Sequence, residues 1–158
     1  PDPSAEELAE MTQLCALQMR RFGIEPKVAL LSHSNFGSSN TPSALKMRDA
    51  LTILRHEAPD LEVEGEMHGD TALSEALRMR IFPHSRLKGS ANLLVMPTLD
   101  AANIAYELIK TMTDALPVGP ILVGGAKPAH ILTPSVTARG IVNMTAVAAV
   151  EAQQISQG

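Results

Sequence analysis

Short apolar runs, each closed by a polar turn and followed by a helix-period segment, confine this chain to an α/β architecture. Val28 to Leu31, Ala91 to Met96 and Pro120 to Val123 are continuous runs rather than alternating ones. Continuity is the mark of a strand covered on both faces, as in a parallel sheet. Leu61 to Met67 differs: Leu61, Val63, Gly65 and Met67 alternate with Glu62, Glu64 and Glu66. That pattern predicts a strand with one covered face and one wet face, at a sheet edge or antiparallel. Its acids read as a solvated edge that discourages sheet-to-sheet pairing. Strand and helix signals alternate about five times, so the expected fold is an α/β three-layer sandwich with a mixed, mainly parallel sheet.

The helices announce themselves by their caps. Ser4 and Glu7 form a capping-box pattern that opens a helix to about Phe22, with Leu8, Met11, Cys15, Met19 and Phe22 on its apolar face. Gly23 and Pro26 end it. Thr41 followed by Pro42 starts a second helix that buries Ala44, Met47, Leu51 and Leu54. Asp70 is expected to cap a third, running to about Arg80. Asp100 caps a fourth, with Ala101, Ile104, Ala105, Leu108 and Met112 inward. A last helix spans about Arg139 to Gln154 and buries Ile141, Met144, Thr145 and Ala148.

Composition narrows the function classes. A chain of 158 residues with 45% apolar and 19% charged residues suits one domain with a real core, here residues 1–158. No apolar run approaches the roughly 20 residues of a membrane span. A net charge of −4, no Trp and one Tyr argue against nucleic-acid binding. The single Cys15 cannot close an internal disulfide, which predicts a cytoplasmic protein and a buried, inert thiol. His33, His56, His68, His84 and His130 lack metal-ligand spacing, so no metal site is expected. No P-loop, G-x-G-x-x-G fingerprint or Gly-x-Ser-x-Gly elbow occurs either.

Two loops at the carboxyl ends of apolar runs are the candidate sites, because α/β proteins place ligands there. One is Ser32 to Asn40, small and polar, whose N–H groups and hydroxyls are suited to a phosphate or a thioester; a solvated connection is the plain alternative. The other follows Gly124-Gly125 and carries Lys127, Thr133, Ser135 and Thr137. His130, three residues from Thr133, reads as structural. Arg78, Arg80, Arg86 and Lys88 make a basic stretch that reads first as a solvated helix end and second as a phosphate-attracting patch.

The stretch GPILVGGAKPAHILTPSVTARGIVNM at 119–144 resembles the C-terminal part of phosphotransacetylases, which move an acetyl group between coenzyme A and phosphate. The resemblance takes in PDPSAEELAE at the start, VALLSHSNFGSS at 28–39, APDLEVEGEM at 58–67, SANLLVMPTLDAANIAYELI at 90–109 and AVEAQ at 149–153. It implies the two-lobed isocitrate/isopropylmalate dehydrogenase-like architecture, with this chain supplying about one lobe. It also implies that ligand contacts fall on Lys127, Thr133, Ser32, Ser34 and Ser38.

The chain departs from the family's pattern at the chemistry. Phosphotransacetylases carry a Ser-Arg pair and then an Asp at the start of the following helix; these fall on Thr133, Pro134 and Gly140. The Asp would serve as base on the thiol and the Arg would hold phosphate or the acyl oxygen. Pro and Gly can do neither, so no catalytic residue is expected. Such a degenerate domain resembles the C-terminal part of the large bacterial malic enzymes. The resemblance there implies acetyl-CoA as an allosteric effector and self-association as a homodimer or larger, with NADP and a divalent metal bound elsewhere in the parent protein. An active phosphate acetyltransferase and a purely structural dimerisation domain are the alternatives. The start at Pro1-Asp2-Pro3, without an initiator Met, suits a piece of something longer.

Overall fold

The computed structural model describes residues 2–113 and 115–157, with side chains through 154. The chain divides into two compact units, Pro1–Tyr106 and Glu107–Gly158. In the first, β1 (Lys27–Leu31) lies between β2 (Glu62–Met67) and β3 (Leu93–Val95), in the order β2-β1-β3. Both pairings are parallel, with Val28 beside Val63 and Leu93. The described sheet is therefore all parallel, where the expectation was a mixed one.

Successive β1 side chains serve opposite faces, which makes three layers from one short strand. Val28 and Leu30 join the cluster formed by α1 (Ala5–Arg21) and α2 (Pro42–Glu57). Ala29 and Leu31 join Met67, Ala72, Leu87 and Ala91 on the other face. The continuous apolar run is explained by this double coverage. Gly65 sits where β2 approaches β1: a Cβ there would come within 2.8 Å of Leu30 Cβ and 2.9 Å of the Leu30 carbonyl oxygen. Only glycine fits so close to a neighbouring backbone.

The Ser4–Glu7 capping box is present, with Ser4 N–H donating to Glu7 and Glu7 N–H to Ser4 Oγ. The buried stripe of α1 is rotated from the expected one. Leu8, Ala9, Thr12 and Ala16 are buried, whereas Met11 and Phe22 are exposed. Small residues at the contact, with Ala50 of α2 in the same cluster, bring the two helices close. Thr12 is accommodated because its hydroxyl donates to the Leu8 carbonyl at 2.6 Å.

The expected helix from Asp70 to Arg80 is two helices, α3 (Gly69–Leu73) and α4 (Glu75–Ile81). Ser74 ends the first and caps the second by accepting the Leu77 N–H. Local side-chain capping thus competes with helix continuation, and wins here. Asp70 Oδ1 accepts the N–H of the next residue, Thr71, instead of capping from outside the helix.

α5 (Leu99–Thr113) begins with the Ala101 N–H donating to Thr98 Oγ1, so Thr98 and not Asp100 caps it. None of its residues is buried; Ile104, Leu108 and Met112 are 62%, 57% and 81% exposed. The amphipathic pattern was legible, but on its apolar face only Ala101 and Ala105 are half-buried.

In the second unit, residues 115–137 contain neither helix nor strand, and α6 (Ala138–Gln157) follows. The apolar run at 120–123, expected as a strand, forms no ladder. Apolarity marks a segment that can be buried, while a strand also needs a partner backbone. α6 buries Met144, Val147 and Glu151; Ile141 and Thr145, expected inward, are exposed. Thr137 starts it by accepting the Gly140 N–H on its side chain and the Ile141 N–H on its carbonyl.

Candidate functional site

The loop after β1 is built around a carboxylate from the neighbouring strand. Glu66, predicted to face solvent, is fully buried, and so is Glu64. The correction has a physical reason: each acid meets cations and donors that alternation along β2 cannot reveal. Glu64 accepts from Arg55 Nη2 at 2.8 Å and from the Arg86 N–H at 2.9 Å. Glu66 Oε1 accepts the Ser34 hydroxyl at 2.6 Å and the Gly37 N–H at 2.8 Å. Its Oε2 lies 3.5 Å from Arg48 Nε, and both atoms lack a hydrogen-bond partner. Arg48 and Arg55 stand seven residues apart, on one face of α2, opposite two acids of β2.

Around Glu66 the loop closes on itself. Six successive N–H groups are committed inward: Ser34 to Ser32 Oγ, Asn35 to Ser38 Oγ, Phe36 to the Glu66 carbonyl, Gly37 to Glu66 Oε1, Ser38 to the Asn35 carbonyl and Ser39 to Ser34 Oγ. Phe36 takes a positive φ of 46° to allow this, and its ring stacks on Phe82 at 4.5 Å. Arg48 Nη2 binds the Ser39 carbonyl and Asn40 Oδ1 from α2. An anion nest needs free N–H groups, and this stretch has committed them to itself. The loop is therefore neither a loose solvated connection nor a phosphate cradle of the expected kind.

The three serines fare differently. Ser34 is buried and fully engaged. Ser32 is half-buried and Ser38 exposed, so these two remain open to a ligand. His33 Nε2 lies 3.2 Å from Thr41 Oγ1 at the loop's outer edge.

The second loop is held differently. His130 Nδ1 accepts the Leu122 N–H at 3.3 Å, and Nε2 meets Glu151 Oε2 of α6 at 2.9 Å. The pair is buried, its side chains 4% and 7% exposed. The structural reading of His130 stands: it closes the 122–130 stretch and ties it to α6. Lys127 is exposed on that stretch. Thr133 is exposed too, its hydroxyl 3.0 Å from that of Ser135. At Gly140 a Cβ would meet Val136 Cγ2 at 2.7 Å.

In the basic stretch from Arg78 to Lys88, Arg80 is exposed in the last turn of α4 as a solvated helix end, and Arg86 and Lys88 are exposed as well, but Arg78 departs from the expectation. Arg78 is fully buried and binds the carbonyls of Thr71, Ala72, Leu87 and Gly89. An unforeseen cleft of about 410 Å³ lies in the first unit, walled by Leu8, Met11, Cys15, Leu93, Val95 and Leu99. Cys15 is part of that apolar wall, and burial pushes its thiol pKa up. Among the described residues no group of three or more His, Cys, Asp and Glu could hold a metal ion. No helix among them is long and apolar enough to cross a membrane.

The model of the family described as phosphate acetyl/butaryl transferase matches residues 1–149. The chain is 64% identical over 149 residues to an NAD-dependent malic enzyme of Rhizobium meliloti, covering 94% of the chain and 19% of that protein. It is 59% identical over 153 residues to an NADP-dependent malic enzyme of Escherichia coli, covering 96% of the chain and 20% of that protein. The chain thus spans about a fifth of the length of these relatives. A phosphotransacetylase from Staphylococcus aureus superposes with a TM-score of 0.90 at 30% identity, over 96% of the chain and 47% of that structure.

Proposed function

Because the chain belongs to the phosphate acetyl/butaryl transferase family, we propose that it is a non-catalytic member that binds acetyl-CoA as a regulatory ligand within a malic enzyme. The observation that carries this reading is the loop at 133–140. Where family resemblance expects Arg and Asp, it holds Pro134 in a turn and Gly140 against Val136. Neither can hold phosphate or take a proton from a thiol. Lys127, Thr133, Ser32 and Ser38 are the proposed ligand contacts, with Ser34 acting through the loop. The parent protein would oxidise malate with a nicotinamide dinucleotide and a divalent metal bound outside these residues; its relatives' names include both NAD and NADP forms. The cytoplasm is its proposed place of action.

Regulation requires acetyl-CoA to bind one arrangement of the protein better than another. The test supplies the intact protein with acetyl-CoA and phosphate. The expected result is no acetyl phosphate above background, together with an acetyl-CoA-dependent change in malate oxidation. Acetyl phosphate turnover would establish the alternative, an active acetyltransferase. Neither turnover nor any response to acetyl-CoA would leave a structural module.

Pairing of two copies is the proposed assembly. The exposed apolar stripe of α5, with Ile104, Leu108 and Met112, supports a surface meant to be covered. Sedimentation of the intact protein should show a dimer or larger at micromolar concentration, shifted toward smaller species by Leu108→Glu. A wild-type monomer there would end the proposal.

A further inference from the structure

We propose that the Ser38 hydroxyl takes an amide N–H of the ligand, so that the 32–39 loop receives the neutral pantetheine-type arm and not a phosphate. The inference rests on the acetyl-CoA reading above and specifies which part of the ligand this loop meets. It follows from counting protons. Glu66 Oε1 already accepts the Gly37 N–H, so the Ser34 hydroxyl, 2.6 Å away, must donate to it. A serine has one hydroxyl proton. Ser34 has then none left for Ser38, whose Oγ lies 3.2 Å away, and Ser38 must be the donor in that pair.

The buried carboxylate thereby sets the direction of the whole chain, from Ser38 to Ser34 to Glu66. Ser38 Oγ also accepts the Asn35 N–H at 3.0 Å. One lone pair is what remains on this exposed hydroxyl, and a lone pair suits a donor.

At Ser38 a phosphate oxygen finds the opposite of what it needs. The Ser38 proton points inward, and the N–H groups of residues 34 to 39 are all committed. Beneath them stands a buried carboxylate, with Arg48 Nε at 3.5 Å. The acyl-bearing arm of coenzyme A is neutral and carries two secondary amides. Its chemistry matches an acceptor, whereas the phosphates lie at the far end of the same molecule.

The test is calorimetric titration of the intact protein with acetyl-CoA, with S-acetylpantetheine and with inorganic phosphate. Ser38→Ala should weaken both amide-bearing ligands about three- to tenfold, the range of one neutral hydrogen bond, and leave inorganic phosphate unchanged. Ser38→Thr, which keeps the hydroxyl, should restore them. Glu66→Gln frees Ser34 from obligatory donation, so phosphate binding should strengthen. If that variant does not fold, the surface substitution at Ser38 still decides. Wild-type acetyl-CoA binding that is indifferent to Ser38→Ala overturns this inference and leaves the broader reading standing. So does a Ser38→Ala variant that loses phosphate instead. A wild type that binds neither acetyl-CoA nor S-acetylpantetheine overturns both.

Discussion

Replacing Glu66 with Ala should cost the protein about 3–5 kcal/mol, the range for breaking a buried charged pair. Three groups lose their partner together: the Ser34 hydroxyl, the Gly37 N–H and the Arg48 guanidinium. Two of them lie in the interior of a loop whose other bonds depend on the same geometry. Ser34→Ala should cost less, about 1–3 kcal/mol: it unpairs the neutral Ser39 N–H and Ser38 hydroxyl but leaves the charged carboxylate with Gly37 and Arg48. Urea unfolding at unchanged slope gives both values from the shift in midpoint. The order of the two variants is the decisive reading. If Ser34→Ala proved the more damaging, Glu66 would not be the hub of this loop.

The second large effect is expected at Arg78. Its guanidinium is buried, with Nη1 on the carbonyls of Thr71 at 3.0 Å and Ala72 at 3.2 Å, and Nη2 on Leu87 at 3.2 Å and on Gly89. Among the described residues no carboxylate lies within ion-pair distance, so four carbonyl dipoles face the charge. These bonds tie the end of α3 to the segment that leads into β3, where the Ala91 N–H also donates to the Ala72 carbonyl. Arg78→Ala should therefore cost about 3–5 kcal/mol, since the carbonyls are left dry and unpaired and a cavity is added. Arg78→Lys should recover only part of that loss. A single ammonium cannot span both pairs of carbonyls, which is what the planar fork achieves. Full rescue by Lys in the same urea assay would show that charge alone, and not the fork, is required.

Both sites explain where reading the residues in order stopped short. Glu64 and Glu66 alternate with apolar neighbours, and alternation alone says that they face water. They do face away from Val63, but toward Arg55, Arg48 and the 32–40 loop, which lie up to some thirty residues away in sequence. Arg78 reads as one cation in a basic run ending a helix. That it folds inward depends on four carbonyls from two other segments. In each case the residue's own pattern was correct and its partner was invisible. The stripe of α5 is the converse: its periodicity was plain, and Ile104, Leu108 and Met112 are nonetheless exposed.

Legibility was highest where physics is local. The capping box at Ser4, the strand through Val28 to Leu31, the Thr41-Pro42 helix start and the buried set Ala44, Met47, Leu51 and Leu54 all appear in the fold as read. The family was legible too, because it rests on residue types in order. That Pro134 and Gly140 stand where the family resemblance expects Arg and Asp needed no coordinates, since it rests on residue types in order. The condition of the 32–40 loop did need them. Its residue types suit a phosphate nest, and only the tertiary structure shows every N–H from Ser34 to Ser39 already committed. Sequence alone determined the α/β class, the Ser4 capping box and the residue types at 134 and 140, because those depend on each residue and its near neighbours. The tertiary structure decided which charges are buried and which way the hydroxyl protons point, because hydrogen bonds are settled by partners that the chain brings together only on folding.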